Sequence, residues 1–375
     1  MTNLEAKSEN SSALKYMKQL DGLRAIAVFA VLYTHYLPEK YWLFDLYWGG
    51  IGVRLFFVLS GFLITSILLK CRDYITSRQQ TLSFTLRQFY IRRFLRLFPL
   101  YYAILFLAAL INIPPVRETL AWHIPYLSNI YFAIKGDFHD SVSHFWSLAV
   151  EEQFYLLLPW LILFLPKKSL LPTIIILILV GPLFRLTGPM IGLNQVAIWV
   201  LMPSCLDTLG LGALLAYLKY EEEFFKISPQ KIVKIFVLIG IPLWLFFNIT
   251  KNIHSHKLVI SILNDTTLGL IFTWLIAQTS IGFKGIIGKI LESKILVYLG
   301  RISYGIYIIH NFVPYLVRKA FHLFGLSNYS YQTVIAMFSF ICTIILATIS
   351  WYFLEKPIND FKKFFPYNNK VPGES

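Results

Sequence analysis

Cysteine and charge are both scarce in this chain. Its three cysteines, Cys71, Cys205 and Cys342, lie far apart with no paired spacing, which excludes a disulfide framework and a cysteine-based zinc site and leaves them as packing residues. Charged side chains make up 14% of the sequence and hydrophobic ones 57%, with a mean hydropathy of +0.61. That balance excludes a water-soluble globule. Acidic residues are the rarer sign, 20 against 34 lysines and arginines. A net charge of +14 can mark a nucleic-acid binder, but the basic residues fall between apolar runs rather than on one soluble face, so no nucleic acid is expected. There is no solenoid repeat and no low-complexity segment. Met1–Gln19 has no apolar core followed by a small-residue cleavage site, so no signal peptide is expected.

What the chain has in quantity is long apolar stretches, among them Thr173–Leu183, Ile232–Phe247 and Val334–Ile349. Spans near Gly22–Leu37, Gly50–Leu69, Leu97–Ile113, His144–Leu165, Leu170–Gly188, Val196–Leu218, Ile232–Ile249, Leu258–Thr279, Ile295–Val317 and Gln332–Leu354 predict an all-α, multi-pass bundle of about ten membrane helices. The short first and fourth spans are the ones a hydropathy scan would miss. An even number places both termini on one side. One set of loops carries Lys18, the run Lys70 to Arg96, Lys167, Lys168, Lys284 and Lys289, and the other only Lys40, Arg117, Lys135, Lys251, Lys257, Arg318 and Lys319; positive charge therefore predicts cytoplasmic termini. The expected organisation is a cytoplasmic segment over residues 1–19, a membrane domain over 20–356 and a cytoplasmic tail over 357–375. The Glu221–Glu223 run reads as a solvated helix end.

Ionisable residues inside a membrane helix are costly and point to function. Arg24 and His35 are eleven positions apart (35 − 24 = 11), which returns a helix to within about 20° of the same face. Both are expected to look into one crevice, with His35 about 16 Å above Arg24. By rise per residue, His310 and Glu151 fall at about the depth of His35, so three proton-active groups are expected in one layer. Glu151 shares a face with Ser147 and His144, and is favoured over Glu152, which points about 100° away. Near the cytoplasmic edge, Arg87, Arg92, Arg93 and Arg96 from the adjoining loop join Arg24 in a basic mouth, with Arg93 and Arg96 on one helix face. Guanidinium groups bind phosphates bidentately, so the layout suits a donor with an anionic end and a long thin arm, as in an acyl-coenzyme A.

Plainer roles stand beside these. His35 and His310 can be interhelical hydrogen-bond partners, His310 can sit at a helix end near water, the arginines can be positive-inside anchors and Glu151 can be structural. Arg54 and Arg185 can pair with buried carboxylates or snorkel outward, and neither is read as catalytic. The aromatics Tyr41, Trp42, Tyr47, Trp48, Trp122, Tyr126 and Tyr131 could stack on sugar faces or form an interfacial belt.

In order, LDGLRAIAVFAVLYTH (Leu20–His35), GGIGVRLFFVLSGFLIT (Gly49–Thr65), YIRRFLRLFPLYY (Tyr90–Tyr102), FWSLAVEEQFYLLLP (Phe145–Pro159), LGRISYGIYIIH (Leu299–His310) and WYFLEKP (Trp351–Pro357) resemble the membrane-bound acyltransferase family 3. The resemblance implies a multi-pass inner-membrane acyltransferase, transferring groups other than amino-acyl groups, that moves an acyl group, usually acetyl, from cytoplasmic acyl-CoA to a hydroxyl of an extracytoplasmic or lipid-linked carbohydrate, with no metal. It maps the family's Arg-x10-His motif onto Arg24 and His35, Arg-x-x-Arg onto Arg93 and Arg96, Ser-Leu-x-x-Glu onto Ser147, Leu148 and Glu151, and the late aromatic-His element onto Tyr304, Tyr307 and His310. His35 and Glu151 are then the expected catalytic pair, His35 as general base or transient acyl carrier, with Arg24, Arg93 and Arg96 on the donor and Ser147, Tyr304, Tyr307 and His310 on substrate. Many relatives carry an acidic residue where this chain has Arg54. The chain ends soon after WYFLEKP, which is expected to leave no room for an appended esterase-like domain. A transporter or flippase of sugars or lipid-linked glycans is the alternative from another class.

Overall fold

A computed structural model describes residues 16–37, 43, 46–138, 141–222, 228–325 and 332–367, and every regular element among them is helical. Helices α1 (Lys18–Tyr36), α2 (Trp48–Thr76) and α3 (Leu82–Leu110) are followed by the short α4 (Val116–His123) and α5 (Ser128–Lys135). Then come α6 (Phe145–Phe164), α7 (Lys167–Thr187), the pair α8 (Gln195–Val200) and α9 (Met202–Tyr220), α10 (Pro229–Thr250) and α11 (Lys257–Ile281). The chain closes with α12 (Gly285–Leu291), α13 (Lys294–Arg301), α14 (Ser303–Ile309), α15 (Val313–Leu323), α16 (Gln332–Ser350), a π-turn over Trp351–Glu355 and α17 (Lys356–Asp360).

Eight of the described helical stretches are long and apolar enough to cross a bilayer, which makes this an integral multi-pass membrane protein. The fourth expected span, now α6, is among them, contrary to the expectation that it would be missed, whereas α1 and the segment from Lys294 to Leu323 are not. The ninth expected span is not one helix. It breaks between α14 and α15 at His310–Phe312, just before Pro314, which has no amide hydrogen to continue an intrahelical ladder. The arginines expected on a loop lie on α3, whose start is fixed by the Thr81 hydroxyl accepting a hydrogen bond from the Phe84 amide at 3.2 Å. Arginine favours helix, and nothing in Leu82–Leu97 breaks one.

Packing sets which helices are central. In α8–α9, 72% of the apolar window is buried, against 22% in α10 and in the window starting at α16, so the last two offer Leu238, Ile239, Phe338 and Ile341 to lipid. One of the closest contacts is α2 on α9. A Cβ on Gly61 would lie 2.0 Å from the Leu209 carbonyl oxygen, and one on Gly212 2.1 Å from that of Val58. Glycine at both positions lets two backbones touch, which is how helices associate where lipid removes the hydrophobic drive. Cys71 and Cys205 are buried and Cys342 half-buried, all unpaired. Glu221 is buried, not solvated, because Lys167 reaches it at 2.7 Å; Glu223 lies outside the described residues, as do residues 1–15 and 368–375 of the two expected cytoplasmic segments.

Candidate active site

Between α2, α3, α6 and α14 lies a cavity of about 250 Å³ that Arg24 of α1 closes on one side. All the expected site residues except His35 and His310 line it: Arg24, Arg93, Arg96, Ser147, Glu151, Tyr304 and Tyr307. Arg93 and Arg96 enter it because they are three apart on α3, whereas Arg92 diverges and donates to the carbonyls of Lys362 and Phe365 at 2.8 Å each. Arg92 is therefore not part of the basic mouth. Arg93 lies against the rings of Phe89 and Tyr155, and its Nε is buried with no partner among the described residues. Arg24 is oriented by Asp21 at 2.5 Å, and Asp21 in turn accepts from the Tyr16 hydroxyl at 2.6 Å. Glu151 accepts hydrogen bonds from Ser60 at 2.7 Å and Tyr155 at 3.4 Å. Glu152 faces a separate lateral crevice with Tyr90, Phe94 and Phe98. Three guanidinium groups against the carboxylates of Glu151 and Asp21 leave the cavity positive, and a buried unpartnered donor calls for an acceptor.

The far end of the cavity is closed by a polar layer. The Tyr307 hydroxyl meets Ser147 Oγ at 2.5 Å and donates to the His144 carbonyl at 3.2 Å. Tyr304 donates to the Leu97 carbonyl at 2.5 Å. Beyond that layer stand three imidazoles, with ring centroids 4.9 Å apart from His144 to His310 and 4.9 Å from His310 to His35. His310 Nδ1 donates to the Tyr307 carbonyl at 2.6 Å and His144 Nε2 to that of Ile308 at 3.0 Å, which leaves His310 Nε2 and His144 Nδ1 as buried lone pairs without partners among the described residues.

Two expectations fail here. Arg24 and His35 share a helix but not a crevice: His35 lines a separate recess with Tyr36, Pro314, Arg318 and Gln332, and the turns between are filled by buried Val28, Val31 and Leu32. The expected layer does contain His35 and His310, but its third member is His144 rather than Glu151. Glu151 sits seven residues further along α6, about 10 Å deeper, on the stripe that Tyr155 extends by one more turn.

Asp207 and Asp265 were not singled out by the sequence. Arg54 pairs with Asp265 at 2.6 Å, and Arg185 with Asp207 at 2.5 Å, while Thr266 donates to Asp207 at 2.6 Å. The signal was present, since each is a lone carboxylate inside an apolar span. Of the aromatics considered for sugars, Tyr126 and Tyr131 are buried, Tyr126 stacked on Tyr101 with centroids 4.3 Å apart, so neither can receive a sugar. Tyr47 is exposed, 5.2 Å from Trp199. Tyr41 and Trp42 lie outside the described residues. No cluster with metal-ligand geometry occurs among the described residues.

Sequence comparison gives this cavity a context. A sequence from Staphylococcus aureus (strain MSSA476) is 32% identical over 376 residues, covering 92% of this chain and 57% of its own length. The peptidoglycan O-acetyltransferase OatA of Listeria monocytogenes is 29% identical over 408 residues, 96% of this chain and 60% of its own. For the O-acetyltransferase OatA of Staphylococcus aureus (strain NCTC 8325 / PS 47) the figures are 29% over 379 residues, 93% and 58%. The chain thus spans under two thirds of the length of these relatives. No solved structure matches. The sequence profile of the acyltransferase domain family matches residues 17–354, which takes in every helix lining the cavity, and this chain belongs to that family.

Proposed function

We propose that this chain is the membrane part of an O-acetyltransferase that takes acetyl from cytoplasmic acyl-CoA and places it on a hydroxyl of a cell-envelope carbohydrate across the inner membrane. In this proposal ten segments cross the bilayer, α1 and the broken α13–α15 segment included, and both termini face the cytoplasm. The observation that carries it is the meeting of Arg24, Arg93 and Arg96 with Glu151 in one cavity. At about 250 Å³ it falls below the range for a compact drug-sized ligand, and suits an extended arm with its phosphates held at the entrance. The relatives' names supply the acetyl group and the cell-wall polymer.

Chemically, the acceptor oxygen attacks the thioester carbonyl, the carbon–sulfur bond breaks, and the hydroxyl proton leaves to a base. His35 is placed in that role on the far side, where an imidazole can act near neutral pH. Glu151, with Ser60 and Tyr155, holds the proton balance at the donor side, where the leaving thiolate must be protonated. Ser147, Tyr307, His144 and His310 separate the two sides, so the layer must part for the reacting atoms to meet. His310 lies between His35 and the cavity and positions the base, while Tyr304 shapes the cavity wall.

The test is acetyl transfer by the purified protein in proteoliposomes, with acetyl-CoA inside or outside and peptidoglycan oligosaccharides opposite. His35→Ala is expected to lower transfer about 10²- to 10⁴-fold, the usual worth of a general base, with insertion and donor binding unchanged. Near-normal transfer by that variant removes His35 from the mechanism, and glycan uptake without covalent change turns the assignment toward transport.

A further inference from the structure

The charges of Arg54, Asp265, Arg185 and Asp207 take no part in the chemistry above, yet all four are buried inside the bundle. Such groups usually face a cavity that uses them. At the far-face ends of α2, α8, α10 and α11 is a recess of about 180 Å³ whose wall includes Arg54, Asp265, Asn248, Asn264, Trp199 and Trp244. It is distinct from both the arginine cavity and the His35 recess.

Its electrostatics select against ions. Arg54 is matched by Asp265 at 2.6 Å and Arg185 by Asp207 at 2.5 Å, so the cluster has no net charge to draw a phosphate or a metal cation. What it offers is a carboxylate edge, two carboxamides that both donate and accept, and two indole rings. A neutral ring with hydroxyls at its edge and an apolar face fits that set. We propose that the recess is a carbohydrate subsite that grips the acceptor glycan next to the sugar being acylated.

Its place in the fold supports this and rests on the acyl-transfer proposal. Thr34 of α1 accepts a hydrogen bond from the Gly49 amide of α2 at 2.7 Å, so the recess and the His35 pocket flank one helix contact, about 8–10 Å of interaxial spacing. The proposed subsite requires the acceptor oligosaccharide to span that helix pair. On the other side of α2, Val53 and Phe57 line the arginine cavity, and the Arg54 guanidinium lies 5.6 Å from the Phe57 ring.

Trp244→Ala and Asn248→Ala touch neither ion pair, Asn248 donating to the Trp244 carbonyl at 2.8 Å, so the fold should survive both. With the full chain in proteoliposomes, acetyl-CoA as donor and peptidoglycan oligosaccharides as acceptor, each is expected to raise the acceptor KM about tenfold, leaving kcat and the acetyl-CoA KM within about twofold. A monosaccharide acceptor, too short to reach the recess, should be acylated equally by wild type and variants. Unchanged oligosaccharide KM in both variants, or a donor KM that rises in step, overturns the subsite. Wild-type protein that acylates no glycan overturns the acyl-transfer proposal itself, a different result from active protein insensitive to both substitutions.

Discussion

Two regions of this bundle gather arginines and treat them in opposite ways, one burying them and the other leaving them half-buried or exposed. In the cluster of α2, α7, α9 and α11, Arg54 and Arg185 are each answered by an aspartate within 2.6 Å. In the cavity of α2, α3 and α6, Arg93 and Arg96 have no carboxylate partner among the described residues, and only Arg24 has one. A protein that leaves guanidinium groups open where it could have paired them keeps them for an external anion, and one that pairs them fully keeps them for structure or for a neutral ligand.

Breaking the paired region should cost the most. Asp207→Ala strips the partner from Arg185, whose side chain is 2% exposed, and is expected to destabilise the protein by about 3–5 kcal/mol, read as a lowered melting temperature in detergent. Unchanged stability would show that the pair is not what holds α7 to α9. In the open region the same kind of change should spare the fold and weaken the donor. Arg96→Gln is expected to raise the acetyl-CoA KM by about 10- to 100-fold, the worth of one charge-assisted contact to phosphate, with melting unchanged. The smallest effect sharpens the contrast further: Arg92→Gln, one residue from Arg93 but tied to the carbonyls of Lys362 and Phe365, should leave the donor KM within about twofold. An equal loss at Arg92 and Arg96 would mean that positive charge near the entrance matters and the cavity does not.

Much of this was legible in the sequence because depth and helix phase are additive along a chain. The all-helical class follows from apolar run lengths, and the cavity-facing pair Arg93 and Arg96 from their three-residue spacing. Glu151 was separable from Glu152 by phase alone, and the structure places the former in the cavity and the latter in the lateral crevice. What one helix cannot encode is how its neighbours fill the space between two polar residues. Arg24 and His35 are on one face, but Val28, Val31 and Leu32 between them are packed shut by other elements, a tertiary fact. Pairing of Arg54 and Arg185 with buried carboxylates was readable, but not which ones, because Asp207 and Asp265 lie on other helices, and Asn311 and Pro314 already marked a helix end at His310 within a run otherwise read as one span.

The glycine contact between α2 and α9 also determines which wall of the site can yield. Backbones in direct touch at Gly61 and Gly212 leave no slack for sliding, so that side acts as a keel. Across the cavity, Tyr307 sits on the seven-residue α14, bounded by Ile302 at one end and the His310–Phe312 turn at the other. In the proposed transfer, passage from the arginine side to the imidazole side parts the Ser147–Tyr307 contact, and the helix breaks at either end of this short segment are where it can bend.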